Sequence, residues 1–443
     1  MLKPDQDLVS YVEFNQLRRM SETLHESKEK LEQYFTPASV ARLMASFFEF
    51  DTSNVKILDP GSGTGTLFTA TVNEILRRNI HPESINVLAF EADSSLKGDL
   101  QHALEVCDNA CKSAGVEFSG QVRIEDFIES TVKNSGLYND IDNCFTHIIV
   151  NPPYKKLNTG SYTYKLLKSS GRNSPNLYTA FLSMAETYLT ERGQLISITP
   201  RSFCNGVYFK HFRERFLSNM HISIIHLFTS RTKAFRIDNV LQENIIVKWV
   251  KSLKPTGPVK ILSSEGPEDM VASQWEVEEN DVVDPNDKEH IIKIEQDRNE
   301  KAIGRLIDGL PCKLKDLVLK ASTGPVVDFR ASDVIRREKT IRSVPLIQPE
   351  CISSTGYVNW NPFIMKKSPY IEPSEETKKI LVQDDVYVLV KRFTSNEERK
   401  RIVASVYVPM NTYKGLIGIE NRVQVWAVPT TTLEQFVCVR TSI

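Results

Sequence analysis

Short apolar runs alternate with amphipathic segments over residues 1–250 of the chain. Runs rich in β-branched residues and ended by glycine, proline or polar residues are typical of strands buried on both faces of a parallel sheet. Longer segments with apolar residues at every third or fourth position predict helices. The runs predicted as strands are 55–59, 86–91, 121–126, 145–150, 194–200, 222–228 and 244–250. Together these elements predict an α/β fold with a Rossmann-like, doubly wound and mostly parallel seven-stranded sheet.

Several of the predicted helices have recognisable ends. Segments 66–79 and 94–113 follow the first two strands. The stretch SPNLYTAFLSMAETYLTERG has Ser174 as a cap, Pro175 at the first helical position and Gly193 after the last turn. In doubly wound sheets, ligands bind beyond the carboxyl ends of the strands. Candidate functional residues are therefore expected where strands end.

Composition narrows the class of protein. A chain of 443 residues with 41% hydrophobic and 25% charged residues is ordinary for a soluble protein of two or three domains. No apolar run approaches the length of a membrane span, and the first residues do not have the layout of a signal peptide. The 7 cysteines include no CxxC pair. These features predict a reduced, metal-free cytoplasmic protein.

Charge is distributed in blocks along the chain. Residues 151–236 contain 13 Lys and Arg against 3 Asp and Glu, residues 265–300 contain 3 against 13, and residues 311–443 contain 20 against 14. A charged block is often only solvated surface, but aromatic residues interleave with the first basic block, as they do on phosphate-binding surfaces. The acidic stretch and the prolines around it predict a linker over residues 251–310, between a domain of residues 1–250 and a C-terminal domain.

Polar residues end three successive strands. The alternating glycines of LDPGSGTGTLF differ in spacing from the GxGxxG of dinucleotide binders, but they let the backbone approach a ligand closely in front of a helix N-terminus. Glu91 ends the second strand, where it can accept hydrogen bonds from two ribose hydroxyls. Asp126 and Phe127 follow the third strand and offer a carboxylate and a stacking ring to adenine. Each residue alone could be surface or core filler; together they predict a nucleoside-containing ligand.

The motifs DPGSGTGTLF, FEAD, EDF and NPPY, in this order, resemble those of the S-adenosylmethionine-dependent amino-methyltransferases. The preceding YFTPASVARLM (34–44) is similar to the N-terminal motif of the gamma-class adenine-N6 DNA methyltransferases, the TaqI and PstI kind. The resemblance implies S-adenosyl-L-methionine as cofactor and a methyltransferase sheet. Its implied cofactor contacts are Thr36 at the methionine end, Asp59, Gly61 and Gly63 at the methionine and ribose, Glu91 at the ribose, and Asp126 with Phe127 at the adenine.

The turn HIIVNPPYKK (147–156) has a chemical explanation within this resemblance. Proline cannot donate a ladder hydrogen bond, so the strand must end at Asn151. The Asn151 side-chain oxygen and the Pro152 carbonyl can each accept one N–H of the target amine, which frees the nitrogen lone pair for the methyl group. Preorganised dipoles of this kind give large rate effects. Tyr154 supplies a ring to stack on the target base.

A base inside a duplex cannot reach such a turn, so the resemblance implies that the adenine is flipped out of the helix. The basic block 151–236 would hold the phosphates meanwhile. Phe235, before the seventh strand, is predicted to cover the other side of the flipped base, as family members carry an aromatic residue at this spacing. The alternative is that Phe235 is a core residue that anchors a loop.

Residues 311–443 are basic, β-rich and turn-rich, and resemble a target-recognition domain. The chain ends TTTLEQFVCVRTSI, and a shortened C-terminal domain with impaired DNA binding is one expectation. The resemblance implies a type II restriction-modification enzyme whose partner is double-stranded DNA with a short specific site. Because no PD…(D/E)xK arrangement is found, the companion restriction endonuclease is expected to be a separate chain. The expected location is the bacterial cytoplasm, with association to the nucleoid through DNA.

Two alternatives to a DNA adenine methyltransferase stay open. An NPPY turn also serves RNA methyltransferases and enzymes that methylate glutamine in proteins, but those usually lack the motif ahead of the glycine loop and a long C-terminal domain. A DNA-binding partner without catalytic activity is the second alternative. The intact Asn151, Pro152 and Tyr154 argue against it.

Overall fold

The computed structural model describes residues 7–13, 36–51, 53–134, 145–229, 243–269, 271, 273–312, 316, 320–394, 400 and 402–427. The chain divides into two compact units between Arg305 and Leu306. None of the described helices has the length and apolarity that a membrane span requires.

A mixed nine-stranded sheet forms the centre of the first unit. Its strands are β1 (Asn54–Asp59), β2 (Ser84–Glu91), β3 (Glu117–Ile124), β4 (Phe145–Val150), β5 (Leu189–Pro200), β6 (Met220–Phe228), β7 (Asn244–Lys251), β8 (Val259–Ser264) and β9 (Ser273–Val277). Their order is β3-β2-β1-β4-β5-β7-β6-β8-β9. The first five strands in this order, from β3 to β5, run parallel to one another. Strand β7 lies between β5 and β6 and is antiparallel to both. The predicted α/β class and its seven strands are confirmed, and two strands are added.

Helices cover both faces of this sheet. The helices with described bounds are α1 (Ala38–Ser46), α2 (Thr66–Arg77), α3 (Lys97–Ser113), α4 (Phe127–Asn134), α5 (Tyr162–Ser169), α6 (Leu177–Tyr188), α7 (Lys210–Phe216), α8 (Glu279–Val282) and α9 (Arg298–Asp308). Helix α9 has no buried residue and crosses the boundary between the two units. Helix α1 packs on β4, β5 and β7 through Ile149, Ile198 and Ile246, while α6 packs on the opposite face. Strand β4 is almost entirely buried, as a continuous apolar run between two helical layers should be.

The helix predicted between Ser174 and Gly193 is shorter than expected. Asn176, not Ser174, caps α6, because its side-chain oxygen accepts the Thr179 N–H at 3.2 Å. The chain becomes extended at Leu189, and Gly193 lies inside β5. A Cβ at Gly193 would lie 2.8 Å from the Leu189 side chain and 2.9 Å from the Thr190 carbonyl oxygen. This glycine therefore permits a close backbone approach and does not end a helix.

The acidic linker predicted over residues 251–310 is wrong. Strand β8 pairs in parallel with β6, and β9 pairs with β8, so this segment extends the sheet of the first unit. Val259, Ile261 and Val277 are buried in the main core. Strand β8 lies before the acidic block of residues 265–300, and β9 contains one acidic residue, Glu276, so the net charge of the segment carries no information about these strands. The boundary between the units accordingly falls after Arg305.

The second unit is β-rich, as predicted. Its described strands are β10 (Lys320–Thr323), β11 (Ile335–Arg336), β12 (Val344–Ile347), β13 (Tyr370–Ile371), β14 (Leu381–Gln383), β15 (Tyr387–Lys391), β16 (Ala404–Tyr407), β17 (Leu416–Ile419) and β18 (Val423–Ala427). They form a four-stranded sheet, β10-β18-β15-β16, and a five-stranded sheet, β11-β13-β12-β17-β14. Leu389, Tyr407 and Ile417 belong to the larger of its two apolar cores.

Candidate active site

A cavity of about 450 Å³ lies at the carboxyl ends of β1 to β4. This volume is within the ~300–1,000 Å³ that ligand sites occupy. Eight of the eleven predicted site residues line the cavity: Gly61, Gly63, Glu91, Asp126, Phe127, Asn151, Pro152 and Tyr154. Asp59 and Thr36 are hydrogen-bonded to lining residues, and Phe235 lies outside the described residues. The structure therefore brings the described candidates together at one edge of the sheet.

The glycine loop connects β1 to α2 with backbone that only glycine tolerates well. Gly63 and Gly65 have φ of 55° and 88°. A Cβ on Gly65 would lie 2.7 Å from the Phe68 ring and 2.9 Å from the Ala103 Cβ. The loop therefore holds its backbone at the cavity wall, with the first turn of α2 directly behind it.

Glu91 is held by the backbone on both sides. The Gly63 N–H donates to its Oε2 and the Asp93 N–H donates to its Oε1, each at 2.8 Å. Burial raises the pKa of the Glu91 carboxyl above its usual range, and these N–H donors oppose the rise. The carboxylate is thus a fixed acceptor at the end of β2 that faces the cavity.

Asp59 lies fully buried beneath the glycine loop. The Gly61 N–H donates to its Oδ1 at 3.4 Å, while its Oδ2 has no hydrogen-bond partner. Burial raises the pKa of Asp59 to about 8; the Gly61 N–H opposes this rise and the Glu91 carboxylate adds to it. A buried carboxylate oxygen without a partner fits a positively charged ligand in the adjoining cavity.

Asp126 and Phe127 form the third part of the wall. Asp126 is exposed, and its Oδ1 caps α4 by accepting the Glu129 N–H at 2.8 Å. Phe127 is almost fully buried, and its ring centroid lies 5.3 Å from that of Phe90 and 5.5 Å from that of Phe181. Phe127 therefore combines a core position with a place in the cavity wall.

The Asn151 amide is oriented by two side chains. Its Nδ2 donates to the Thr36 Oγ1 at 3.0 Å, and its Oδ1 accepts the Tyr154 hydroxyl at 3.1 Å. Thr36 lies two residues before α1 and is buried, so this contact joins the end of β4 to a segment 115 residues earlier in the chain. The amide oxygen retains a second lone pair, so it can accept a further N–H.

Tyr154 is half-buried, and its ring meets that of Tyr178 edge-on, with centroids 6.3 Å apart. Burial raises the pKa of the Tyr154 hydroxyl above its usual range, so it stays protonated and can donate to Asn151 at neutral pH. The predicted stacking of this ring on a target base remains a prediction. The structure adds a hydrogen bond from the Tyr154 hydroxyl to the Asn151 side-chain oxygen, which is the predicted acceptor for the target amine.

Comparison with known proteins identifies the family. A model of the Eco57I restriction-modification methylase family matches residues 77–235. The chain is 37% identical to the type II methyltransferase M.BsuBI of Bacillus subtilis over 407 residues, which is 91% of this chain and 79% of that protein. It is 34% identical to M.PstI of Providencia stuartii, over 91% of this chain and 78% of that one. The chain belongs to the type II methyltransferases.

The likeness extends to solved structures at the level of the fold. The type IIL restriction-modification enzyme MmeI, solved in complex with DNA, has a TM-score of 0.52 and 13% identity. The match covers 90% of this chain and 59% of that one. At this identity the comparison shows a shared fold alone.

Membership of this family confirms the predicted methyltransferase of a restriction-modification system, with S-adenosyl-L-methionine as its cofactor. The cavity of the methyltransferase fits that cofactor chemically. Its sulfonium and ammonium groups are cationic, and the acidic side chains at the cavity are Asp59, which is fully buried, and Glu91, which is half-buried. Its adenine is flat and apolar on both faces, and Phe127 supplies an apolar wall.

The cavity of the methyltransferase also contains residues that the sequence analysis missed. Phe181 of α6 lines it, and a Cβ on Gly61 would lie 3.5 Å from the Phe181 ring. The apolar periodicity of α6 predicts a buried side chain there and carries no information about a cavity. Lys155 and Leu177 also line the cavity. The position of Lys155 directly after NPPY is a signal that could have identified it.

Proposed function

We propose that this methyltransferase transfers a methyl group from S-adenosyl-L-methionine to N6 of an adenine within a specific site of double-stranded DNA. The observation that carries the proposal is the Asn151 amide, which is fixed at 3.0 Å by Thr36 and at 3.1 Å by Tyr154 on the cavity rim. An exocyclic amine needs a fixed neutral acceptor, because its nitrogen lone pair must leave conjugation with the ring while the amine is still uncharged.

Asn151 and Pro152 hold the target amine in this mechanism. The Asn151 Oδ1 and the Pro152 carbonyl oxygen each accept one N–H, so the nitrogen becomes pyramidal and its lone pair points toward the methyl group. The cofactor, when bound, supplies an electrophilic methyl on a positively charged sulfur. After transfer the nitrogen would carry the positive charge, which makes its N–H strongly acidic, so the proton would leave to solvent and the chain needs no strong general base. The two acceptors stabilise the positive charge that develops on the nitrogen.

Each of the other predicted residues would contact a different part of the cofactor. Glu91 would accept the ribose hydroxyls, Asp126 and Phe127 would bind the adenine, and the loop of Gly61 and Gly63 would follow the ribose and methionine. Asp59, beneath the glycine loop, would compensate the positive charge at the methionine end of the cofactor. Thr36, predicted to contact the methionine, is hydrogen-bonded to Asn151, and so it could orient the amide whether or not it also contacts the cofactor.

A base in a duplex cannot reach a cavity at the strand ends, so the adenine would be flipped out. Tyr154 would stack on one side and Phe235 would cover the other. The basic block 151–236 would hold the phosphates, and Lys155 and Lys156 are exposed next to the turn. The C-terminal unit would read the sequence of the site, and a separate restriction endonuclease would cut unmodified DNA. Such an enzyme would work in the bacterial cytoplasm at the chromosome.

Several observations favour DNA over RNA or a protein glutamine as the substrate. M.BsuBI and M.PstI are type II methyltransferases, and MmeI was solved with DNA bound. The second unit is a separate β-rich body, and small methyltransferases that act on glutamine do not need one.

The proposal is tested by identifying the modified nucleoside. Unmodified plasmid DNA is incubated with the enzyme and S-adenosyl-L-methionine, digested to nucleosides and analysed by mass spectrometry, and the modified positions are then mapped by sequencing. We expect N6-methyladenine at one short recurring sequence, and at least ~100-fold slower formation of it with Asn151→Ala at equal protein concentration. A methylated cytosine would contradict the adenine assignment. Methylation of RNA or protein in parallel reactions, with none of DNA, would contradict the DNA substrate.

A further inference from the structure

Two exposed aromatic side chains stand beside one ion-pair centre in the second unit. Phe329 is 73% exposed and Phe393 is 67% exposed, although most phenylalanines are buried. Each ring lies under the guanidinium of its sequence neighbour, Arg330 or Arg392, with 5.5 Å between the guanidinium carbon and the ring centroid. The arrangement exposes a flat apolar face and a cation together at two places.

Asp328 connects the Phe329–Arg330 pair to the Phe393–Arg392 pair. Its Oδ2 is 2.9 Å from the Lys367 Nζ and 3.3 Å from the Arg422 Nη2. The backbone of Arg422 accepts the Arg392 N–H at 3.0 Å. The Asp328 patch is defined by these contacts as Phe329, Arg330, Lys367, Arg392, Phe393 and Arg422.

The charge of the patch is positive. Its four cations exceed the three acidic groups that contact these residues, which are Asp328, Glu420 and Glu350, whose Oε1 accepts the Lys367 backbone N–H at 3.4 Å. Glu420 is 1% exposed and is paired with Arg422 at 2.5 Å between Nε and Oε1, so it is not presented to a ligand. Arg330 and Arg392 are exposed and make no ion pair among those described. The Arg392 Nη1 donates to the Asn421 carbonyl oxygen at 3.2 Å. A guanidinium has five N–H donors, so each of the two arginines has further donors that can bind an anion.

We propose that the Asp328 patch is a DNA contact of this enzyme, in which Arg330 and Arg392 bind backbone phosphates and the rings of Phe329 and Phe393 pack on deoxyribose and base faces. The inference rests on the proposed DNA substrate and assigns residues in the second unit to it. A guanidinium suits a phosphate because it offers several donors in a plane. An aromatic ring suits nucleotides because every base has a flat apolar face. A purely apolar protein partner would leave the two guanidiniums without counterions.

The chain offers a matched control in the same unit. The Lys414 Nζ also lies 5.5 Å from the ring centroid of its neighbour, Tyr413, and Tyr413 is partly exposed. Neither residue contacts Asp328. Tyr413→Ala and Lys414→Ala therefore remove an aromatic–cation pair of the same geometry without touching the patch.

The test measures binding of the full-length enzyme to a duplex oligonucleotide containing its methylated site, over a range of salt concentrations. Arg330→Ala and Arg392→Ala should each lower the slope of log affinity against log salt by about 0.9, the value for one lost phosphate contact. Phe329→Ala and Phe393→Ala should each weaken binding by roughly 5- to 100-fold at fixed salt, with the slope unchanged. The Tyr413 and Lys414 variants should match the unmodified enzyme.

Cofactor affinity and melting temperature are measured for every variant, and both should stay unchanged, because the substitutions are on the surface of the second unit. If the unmodified enzyme binds and methylates DNA but the four patch variants bind it equally well, the patch proposal is wrong and the proposed function stands. If the patch variants instead change self-association in sedimentation experiments and leave DNA affinity unchanged, the patch is a protein interface. If the unmodified enzyme neither binds nor methylates DNA, the proposed function itself fails.

Discussion

The two sides of the active-site cavity hold their polar groups in different ways. On the side of β1 and β2, Glu91 is a half-buried carboxylate held by two backbone N–H groups at 2.8 Å. On the side of β4, Asn151 is a neutral amide held by the side chains of Thr36 and Tyr154. The first arrangement suits a cationic ligand with hydroxyl donors, and the second suits an uncharged amine that must gain positive charge only as it reacts.

The difference implies a division of labour that substitutions can test. Changes on the carboxylate side should act on the affinity for the cofactor, and changes on the amide side should act on the rate of methyl transfer. A carboxylate in the place of Asn151 would bind the amine through charge before the reaction, which stabilises the ground state as well as the transition state.

The largest effect is expected for Asn151→Ala. It removes an acceptor that the mechanism uses as charge develops on the amine, and the loss of one such preorganised group typically costs at least ~100-fold in rate. Single-turnover methylation at saturating cofactor and DNA measures it. A variant that keeps more than about a tenth of the unmodified rate would show that Asn151 does not hold the amine.

Glu91→Ala should weaken cofactor binding by ~1–3 kcal/mol, the range for hydrogen bonds to a charged group. Calorimetric titration with S-adenosyl-L-methionine measures the loss. Glu91→Gln is the matched control for size, and it should be intermediate, since it keeps one acceptor oxygen and loses the charge. Unchanged affinity in the alanine variant would place the ribose hydroxyls elsewhere.

Asp59 should make cofactor binding depend on pH. Because burial raises its pKa to about 8, Asp59 holds a proton in the free enzyme below that pH. A cationic ligand favours the carboxylate, so binding releases the proton, and affinity should rise with pH until about 8 and then level off. Titration of the cofactor itself affects both proteins equally. The ratio of the cofactor affinity of the unmodified enzyme to that of Asp59→Asn therefore reports on Asp59 alone. A ratio that does not vary between pH 6 and 8 would contradict this role.

The smallest effect is expected for Thr36. Thr36→Val removes the acceptor for the Asn151 Nδ2 and should slow methyl transfer by roughly 3- to 10-fold, the equivalent of one neutral hydrogen bond. Thr36→Ser keeps the hydroxyl and should restore most of the rate. The same variants test the predicted contact with the cofactor, because a loss of cofactor affinity without a loss of rate would assign Thr36 to the methionine and not to Asn151.

The parts of the site that were predictable lie within short stretches of the chain. The glycine loop, Glu91 and NPPY follow strands directly, so the carboxyl edge of the sheet brings them together once the strands are recognised. The contact between Thr36 and Asn151 was not predicted, although both residues were, because it joins segments 115 residues apart. Phe181 was missed for a related reason, since its helix buries it as it would a core residue.

The errors in the fold have physical causes as well. Residues 265–300 carry an acidic block, but β8 precedes that block and pairs with β6, a contact between distant segments that charge does not predict. Ser174 and Gly193 do not end α6, because the Asn176 side chain caps its first turn and Gly193 lies within β5. The start of α6 is therefore set by a local cap, whereas β8, β9 and the position of Gly193 are set by packing within the sheet.

The division of labour in the cavity is tested most directly by measuring two quantities on Asn151→Ala and Glu91→Ala side by side. These are the cofactor dissociation constant by calorimetry and the single-turnover methylation rate at saturating cofactor. We predict a crossed result: Asn151→Ala keeps the affinity and loses at least ~100-fold in rate, while Glu91→Ala loses affinity and regains nearly the full rate once cofactor is saturating. If both variants lose affinity and rate to a similar extent, the two sides of the cavity act as one unit and the account is wrong.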